Sequence, residues 1–163
     1  MTATEHAWKA LQHTNDLIKI ADAKAAAMLA ADGVLVGILV RALPAQQLWL
    51  TDWLHAGLLL ISIGSVGASL LFALRVFVPR LDPGASQSIL FFDNVARQYS
   101  KAGDFVPPYR TTLSDTAKLE ESLAEQIWAT SRVTQRKFRN VTPAIWLFGF
   151  ALIIALLASV MKS

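Results

Sequence analysis

Residues 141–161 read VTPAIWLFGFALIIALLASVM, and these 21 residues carry no formal charge. Residues 56–74, AGLLLISIGSVGASLLFAL, give a second uncharged run of 19. A mostly apolar run of about 18 or more residues is long enough to cross the bilayer hydrocarbon as a helix. Two such runs in a chain of 163 residues decide the fold class, an all-α membrane protein.

Working outward, a third span is expected at 25–43. Only 16 residues separate Lys24 from Arg41, and Asp32 lies among them. At about 1.5 Å per residue they cover about 24 Å, short of a ~30 Å core, and snorkelling of Lys24 and Arg41 closes much of the gap. Asp32 costs roughly 2.5–3.5 kcal/mol at a bilayer centre, which neighbouring Leu and Val offset. A carboxylate at that depth is either a pore-lining or gating group, or the helix slides outward or holds it paired or protonated in the bundle; the second set is the expectation.

Thr2 and Glu5 match the S/T-x-x-E capping box, so a helix can start there. Ala7, Leu11, Thr14, Ile18, Ala21 and Ala25 recur at helical spacing. No Pro or Gly interrupts before Gly33, which predicts one long helix from about Ala3 to about Leu43, ended by Pro44. Trp49 and Trp53 fall where an interfacial aromatic belt would lie. The second span is expected from about Trp53 to Val78, ended by Pro79. Asp82-Pro83-Gly84 signals a turn. A helix from about Ser86 to Ala102 then follows, with Ile89, Phe92, Ala96 and Tyr99 on one face and Gly103 as its C-cap.

The stretch GDFVPPYRTTL, 103–113, reads as a loop because of its adjacent prolines. Ser114 can cap a longer helix with Leu119, Leu123, Ile127, Thr134, Phe138 and Val141 as its inner stripe. Asp115, Glu120, Glu121 and Glu125 crowd its start and Arg132, Arg136, Lys137 and Arg139 its end, an order that suits the helix dipole. Thr142-Pro143 marks a fresh cap or a kink before the last span. The resulting division is a cytoplasmic amphipathic helix at 1–24, spans at 25–43, 53–78 and 141–161, and a cytoplasmic helical sensor segment at 79–140.

Composition narrows the function. Cysteine is absent, which excludes disulfides, thiolate metal sites and cysteine nucleophiles. His6, His13 and His55 lack metal-ligand spacing. There is no nucleophile elbow, glycine-rich phosphate loop or H-E-x-x-H, and the sequence reads as no enzyme, with no catalytic residue and no metal. Of the Lys and Arg residues, three precede the first span (Lys9, Lys19, Lys24), Arg41 lies in the first connection, ten run from Arg75 to Arg139, and Lys162 follows the last span. Basic residues stay cytoplasmic, so the N-terminus and 80–140 are expected inside, with 44–52 and the C-terminus outside. The basic residues hug the membrane rather than form an open patch, which argues against nucleic-acid binding.

Ala26, Ala30, Gly33 and Gly37 form a small-residue stripe in the first span, echoed by Gly57, Gly64 and Ala68 in the second and Ala151, Ala155 and Ser159 in the third. Such stripes let helix backbones approach closely in lipid. Packing of the three spans within one chain is the expectation, and association of copies the alternative. Asn15, Lys19 and Asp22, at i, i+4 and i+7, share a face that composition alone reads as solvated; Lys24 points elsewhere. Arg132, Arg136, Lys137 and Arg139 read as topology anchors or, more sharply, as phosphate ligands.

Together these pieces resemble a known family. The stretch 15–27, NDLIKIADAKAAA, is similar to the N-x-x-I-x-x-A-D-x-K-A opening of Pycsar transmembrane effectors. Pro79, the segment 88–96 (SILFFDNVA), Glu125-Gln126-Ile127 and Lys137-Phe138-Arg139 before a terminal span fit the same family, so the resemblance covers nearly the whole chain. The sequence departs from it at Asp32, where an uncharged polar residue would precede the glycine.

The resemblance implies bacterial anti-phage defence. A partner cyclase makes a cyclic pyrimidine mononucleotide, cUMP or cCMP, and the effector then impairs the inner membrane and stops the infected cell. Matching the family motif implies ligand contacts at Asn15, Asp22 and Lys24, with Lys19 on the same polar face and Lys137 at the late basic position. Arg97, Tyr99, Lys101, Tyr109 and Arg110 are further groups the cytoplasmic segment offers. Shifting a 1:99 population to 99:1 takes about 5.5 kcal/mol of differential affinity. Coupled subunits supply that more easily than one, so a homo-oligomer is expected. The alternatives from the residues alone are a constitutive ion channel or holin-like pore, and a membrane adaptor that binds a protein partner.

Overall fold

The computed structural model describes residues 2–43, 53–78 and 88–161. Pro44, Trp49, Pro79, the Asp82-Pro83-Gly84 turn, a helix start at Ser86 and Lys162 lie outside the described residues. The described chain is all-helical with no strand: α1 (Ala3–Ala42), α2 (Trp53–Phe77), α3 (Phe92–Gln98), α4 (Ala102–Ser114) and α5 (Thr116–Met161). Three of these, α1, α2 and α5, are long and apolar enough to cross a membrane. The chain divides into two compact units, the first of Met1–Ile20 with Pro79–Arg136 and the second of Ala21–Val78 with Lys137–Ser163.

The second unit is a three-helix bundle turned inside out relative to a water-soluble one. Val34, Ile38, Leu60, Ile61, Leu71, Trp146, Ile153 and Leu156 are exposed, an apolar surface suited to lipid. Its interior follows a seven-residue repeat. On α2 the buried residues include His55, Leu59, Ser62, Val66, Ser69, Ala73 and Val76, alternating steps of four and three. On α5 the buried positions are Val141, Ala144, Ala151 and Ala158, with Phe148 and Ala155 packed against the core between them. On α1, Ala21, Ala25, Asp32, Leu35 and Leu39 keep the same spacing. This 3.5-residue period is that of a left-handed coiled-coil seam, also common in membrane bundles.

That register overturns one expectation. Ala26, Ala30, Gly33 and Gly37 are all exposed, and a Cβ added to either glycine would meet nothing within 4 Å. A helix turns one stripe inward, and α1 turns in the stripe that carries Asp32. Ala151 is buried as expected, whereas Ser159 and Gly64 are exposed.

In the first unit, the capping box forms: the Thr2 amide donates to Glu5 Oε2 at 3.0 Å and the Glu5 amide to Thr2 Oγ1 at 3.3 Å. Leu11 and Thr14 are buried on α1, and Leu123, Ala129, Thr130 and Thr134 on α5. The stretch 103–113 is helix α4 rather than a loop, with Pro107 and Pro108 inside it. Phe105 and Tyr109, one turn apart, stack with centroids at 5.1 Å, and Tyr99 meets Phe105 edge-on at 5.4 Å. Thr111 and Thr112 hydroxyls donate to the carbonyls of the two prolines. These contacts hold a short helix that proline alone disfavours.

Gly103 accordingly lies within α4 rather than capping α3, which ends at Gln98 with Tyr99 in extended conformation. No residue of α3 is buried, and Phe92 is exposed; Phe91 and Ser88 are the buried groups beside it. Asp115, not Ser114, caps α5, its Oδ1 accepting from the Ala117 and Lys118 amides. Pro143 lies inside a continuous α5 and starts no new helix.

Candidate functional site

In the second unit α1 and α5 bring together Asp22, Lys24, Lys137 and Phe138. The Lys137 ammonium forms an ion pair with Asp22 Oδ1. Both side chains are partly buried, at 19% and 36% exposure, so the pair feels less solvent screening than an open surface bridge. Two residues further along α1, the Lys24 ammonium lies 5.6 Å from the centre of the Phe138 ring, a cation–π contact. Beneath them Ala21, Ala25, Val76 and Val141 pack with Phe138 as a small apolar cluster. Residues 22 and 24 do not share a face of α1; they are brought together by reaching the adjacent α5 residues 137 and 138. It offers an ammonium balanced by a carboxylate, a second exposed ammonium and an aromatic face.

Asn15 and Lys19 belong to the first unit. Lys19 pairs with Asp16 at 2.9 Å on an open surface, and Asn15 is exposed. Arg97 is likewise engaged, with Asp93 at 3.1 Å, and Arg132 lies over the Trp128 ring at 5.3 Å.

The first unit also holds a cavity of about 310 Å³ that sequence reasoning missed, lined by Ser88, Thr112, Lys118, Glu121, Ser122 and Glu125 among others. Its geometry comes from a non-helical segment laid on α5: the Ser88 hydroxyl donates to the Ser122 carbonyl at 2.8 Å, and Asn94 Nδ2 donates back to the Ser88 carbonyl at 3.3 Å. The signal was present, since segment 88–96 and Glu125 are both among the motifs, but only the fold shows that they meet.

The fold and these charged groups define a class: an all-α, three-span membrane protein with a separate helical polar unit. Residues 6–162 match the family described as the Pycsar effector protein domain, and the chain belongs to that family of non-enzymatic membrane effectors of anti-phage defence. Over 40 residues, 24% of this chain and 68% of the relative, it is 48% identical to the Pycsar effector protein MePycTM of Micromonospora echinofusca. No solved structure matches the chain.

Proposed function

We infer that this effector binds a cyclic pyrimidine mononucleotide, cUMP or cCMP, through its cytoplasmic part, and then impairs the inner membrane so that the infected cell stops growing. Family membership over residues 6–162 supports a partner cyclase as the source of the ligand, and the observation that carries the binding step is the Asp22–Lys137 pair beside Lys24 and Phe138. A cyclic mononucleotide carries one phosphate charge, a ribose and a base. Lys24 and Lys137 suit the phosphate, Asp22 suits a hydroxyl or exocyclic amine, and Phe138 gives the base an apolar face. An incoming phosphate competes with Asp22 for Lys137, so binding loosens a contact between α1 and α5. That is the differential interaction a ligand needs to shift a conformational equilibrium.

A second placement is favoured by the volume and donors of the cavity at Ser88, Thr112, Ser122 and Glu125. Its carboxylates suit ribose hydroxyls and a cytosine amine, although they oppose a phosphate. The N-terminus and 79–140 face the cytoplasm in this reading because of their Lys and Arg content. Several copies assemble through the exposed Ala26–Gly37 stripe of α1, where small residues permit close approach in lipid.

Titration of the purified full-length protein with cUMP, cCMP, cAMP and cGMP tests the reading. Binding of a pyrimidine nucleotide, lost in Lys24→Ala but kept in Glu125→Ala, supports the α1–α5 placement, and the reverse pattern supports the cavity. If none of the four binds, the ligand-gated reading fails. A membrane-potential dye in living bacteria separates the alternatives: depolarisation without nucleotide indicates a constitutive pore, and none with it an adaptor.

A further inference from the structure

The second unit contains a ladder of polar contacts buried between α2 and α5. His55 Nδ1 donates to the Ala158 carbonyl at 3.0 Å, Ser62 Oγ to the Ala151 carbonyl at 2.8 Å, and Ser69 Oγ to the Ala144 carbonyl at 3.0 Å. Each step of seven along α2 is matched by a step of seven backwards along α5, as antiparallel helices in a heptad register require. At the Ser69 rung α1 joins in, for the Ser69 hydroxyl also lies 2.8 Å from Asp32 Oδ2. Asp32 is fully buried, and its Oδ1 accepts no hydrogen bond from the described residues.

Two features single this seam out within the bundle. Its α5 side presents alanine at every rung, so no bulky side chain has to withdraw at the rungs themselves, and the α5 bulk in this core comes from Phe148, which packs between two of them. The second feature is chemical. An imidazole and a carboxylate freed into lipid would be left without partners, which is heavily disfavoured, whereas a freed serine hydroxyl can fall back on its own helix as Ser65 does on the Ile61 carbonyl at 2.9 Å. The same groups freed into water are solvated at once. A separation of α2 from α5 is therefore stable only if it is wet.

We propose that the membrane activity of this effector is a cation-conducting path opened along the α2–α5 seam, with His55, Ser62 and Ser69 lining it and the Asp32 carboxylate favouring cations over anions. The proposal rests on the membrane-impairing reading above and names its mechanism. In the closed bundle the hydroxyls are spent on α5 carbonyls; in the open one they and the Asp32 carboxylate face the water.

The cysteine-free sequence allows a direct test, since a single introduced thiol has no background. Ser62→Cys and Ser69→Cys place it on the seam; Leu60→Cys and Ile61→Cys place it on the outer, lipid-facing surface. Full-length protein is reconstituted in vesicles of phosphatidylethanolamine and phosphatidylglycerol, exposed to cUMP or cCMP, and treated with cationic and anionic methanethiosulfonates. The expected result is nucleotide-dependent potassium release, labelling and block at positions 62 and 69 alone, and faster reaction with the cationic reagent. In cysteine-free protein, the reversal potential in a potassium chloride gradient should show cation preference, lost in Asp32→Asn. Release with labelling at 60 or 61 instead, or a cation preference unchanged in Asp32→Asn, overturns the seam while leaving membrane impairment standing. Absence of release with either nucleotide overturns both.

Discussion

Asp22 of α1 and Lys137 of α5, 115 residues apart in sequence, form an ion pair in the second unit. A partly exposed pair of this kind contributes roughly 0.2–1 kcal/mol to stability. Breaking it should leave the bundle folded. Asp22→Ala and Lys24→Ala are expected to abolish the nucleotide response in cells while membrane insertion, measured by fractionation, is unchanged. The double reversal Asp22→Lys/Lys137→Asp should restore the pairing without restoring the response. Normal killing by the two single variants would remove these residues from the site.

Ser62 and Ser69 occupy equivalent rungs but should differ in their effect on stability. Ser62→Ala removes one bond to a carbonyl that α5 already satisfies, and such interhelical bonds average about 0.6 kcal/mol in membrane helices. Ser69→Ala also strips Asp32 of the hydroxyl beside Oδ2, and a buried group left unsatisfied costs about 1–3 kcal/mol. Thermal unfolding in detergent should therefore rank Ser69→Ala below Ser62→Ala, and equal losses would show that the serine does not stabilise Asp32.

Ala151 and Gly37 separate packing within the chain from association of copies. Ala151 is fully buried against α2, so Ala151→Leu overpacks the core and should destabilise the protein by about 1–3 kcal/mol. Gly37 has open space around it, so Gly37→Leu should leave the unfolding midpoint close to wild type or raise it, because glycine is a poor helix former. Its effect should appear instead as loss of cross-linked oligomers. Unaltered cross-linking would place the contact between copies elsewhere.

Orientation is checked with reporters at residue 163 and within 85–135. In the proposed orientation, which rests on Lys and Arg content, the first is outside and the second in the cytoplasm. Alkaline phosphatase should be active only at 163 and a fluorescent protein only within 85–135. Both reporters active on one side would contradict three spans.

Much of the fold was legible because hydrophobic length and helix caps are local properties. The uncharged runs at 56–74 and 141–161 set the membrane class, and the Thr2–Glu5 box fixed the start of α1. The helical stripe from Leu11 to Ala25 is the stripe α1 turns inward. The prolines at 107 and 108 misled because their cost is visible locally, whereas the stacking of Phe105 on Tyr109 that offsets it depends on side-chain placement.

What the sequence determined by itself was three apolar helices, their polar extensions and the family motif with Asp22 and Lys24, since each depends on residues a few positions apart. Only the tertiary structure decided which stripe of each span faces inward. Small residues and the Asp32 stripe compete for the interior of α1, and a single helix face cannot serve both. Ser69, 37 positions away, settles that competition by giving the carboxylate a partner, and no local pattern in α1 contains that information.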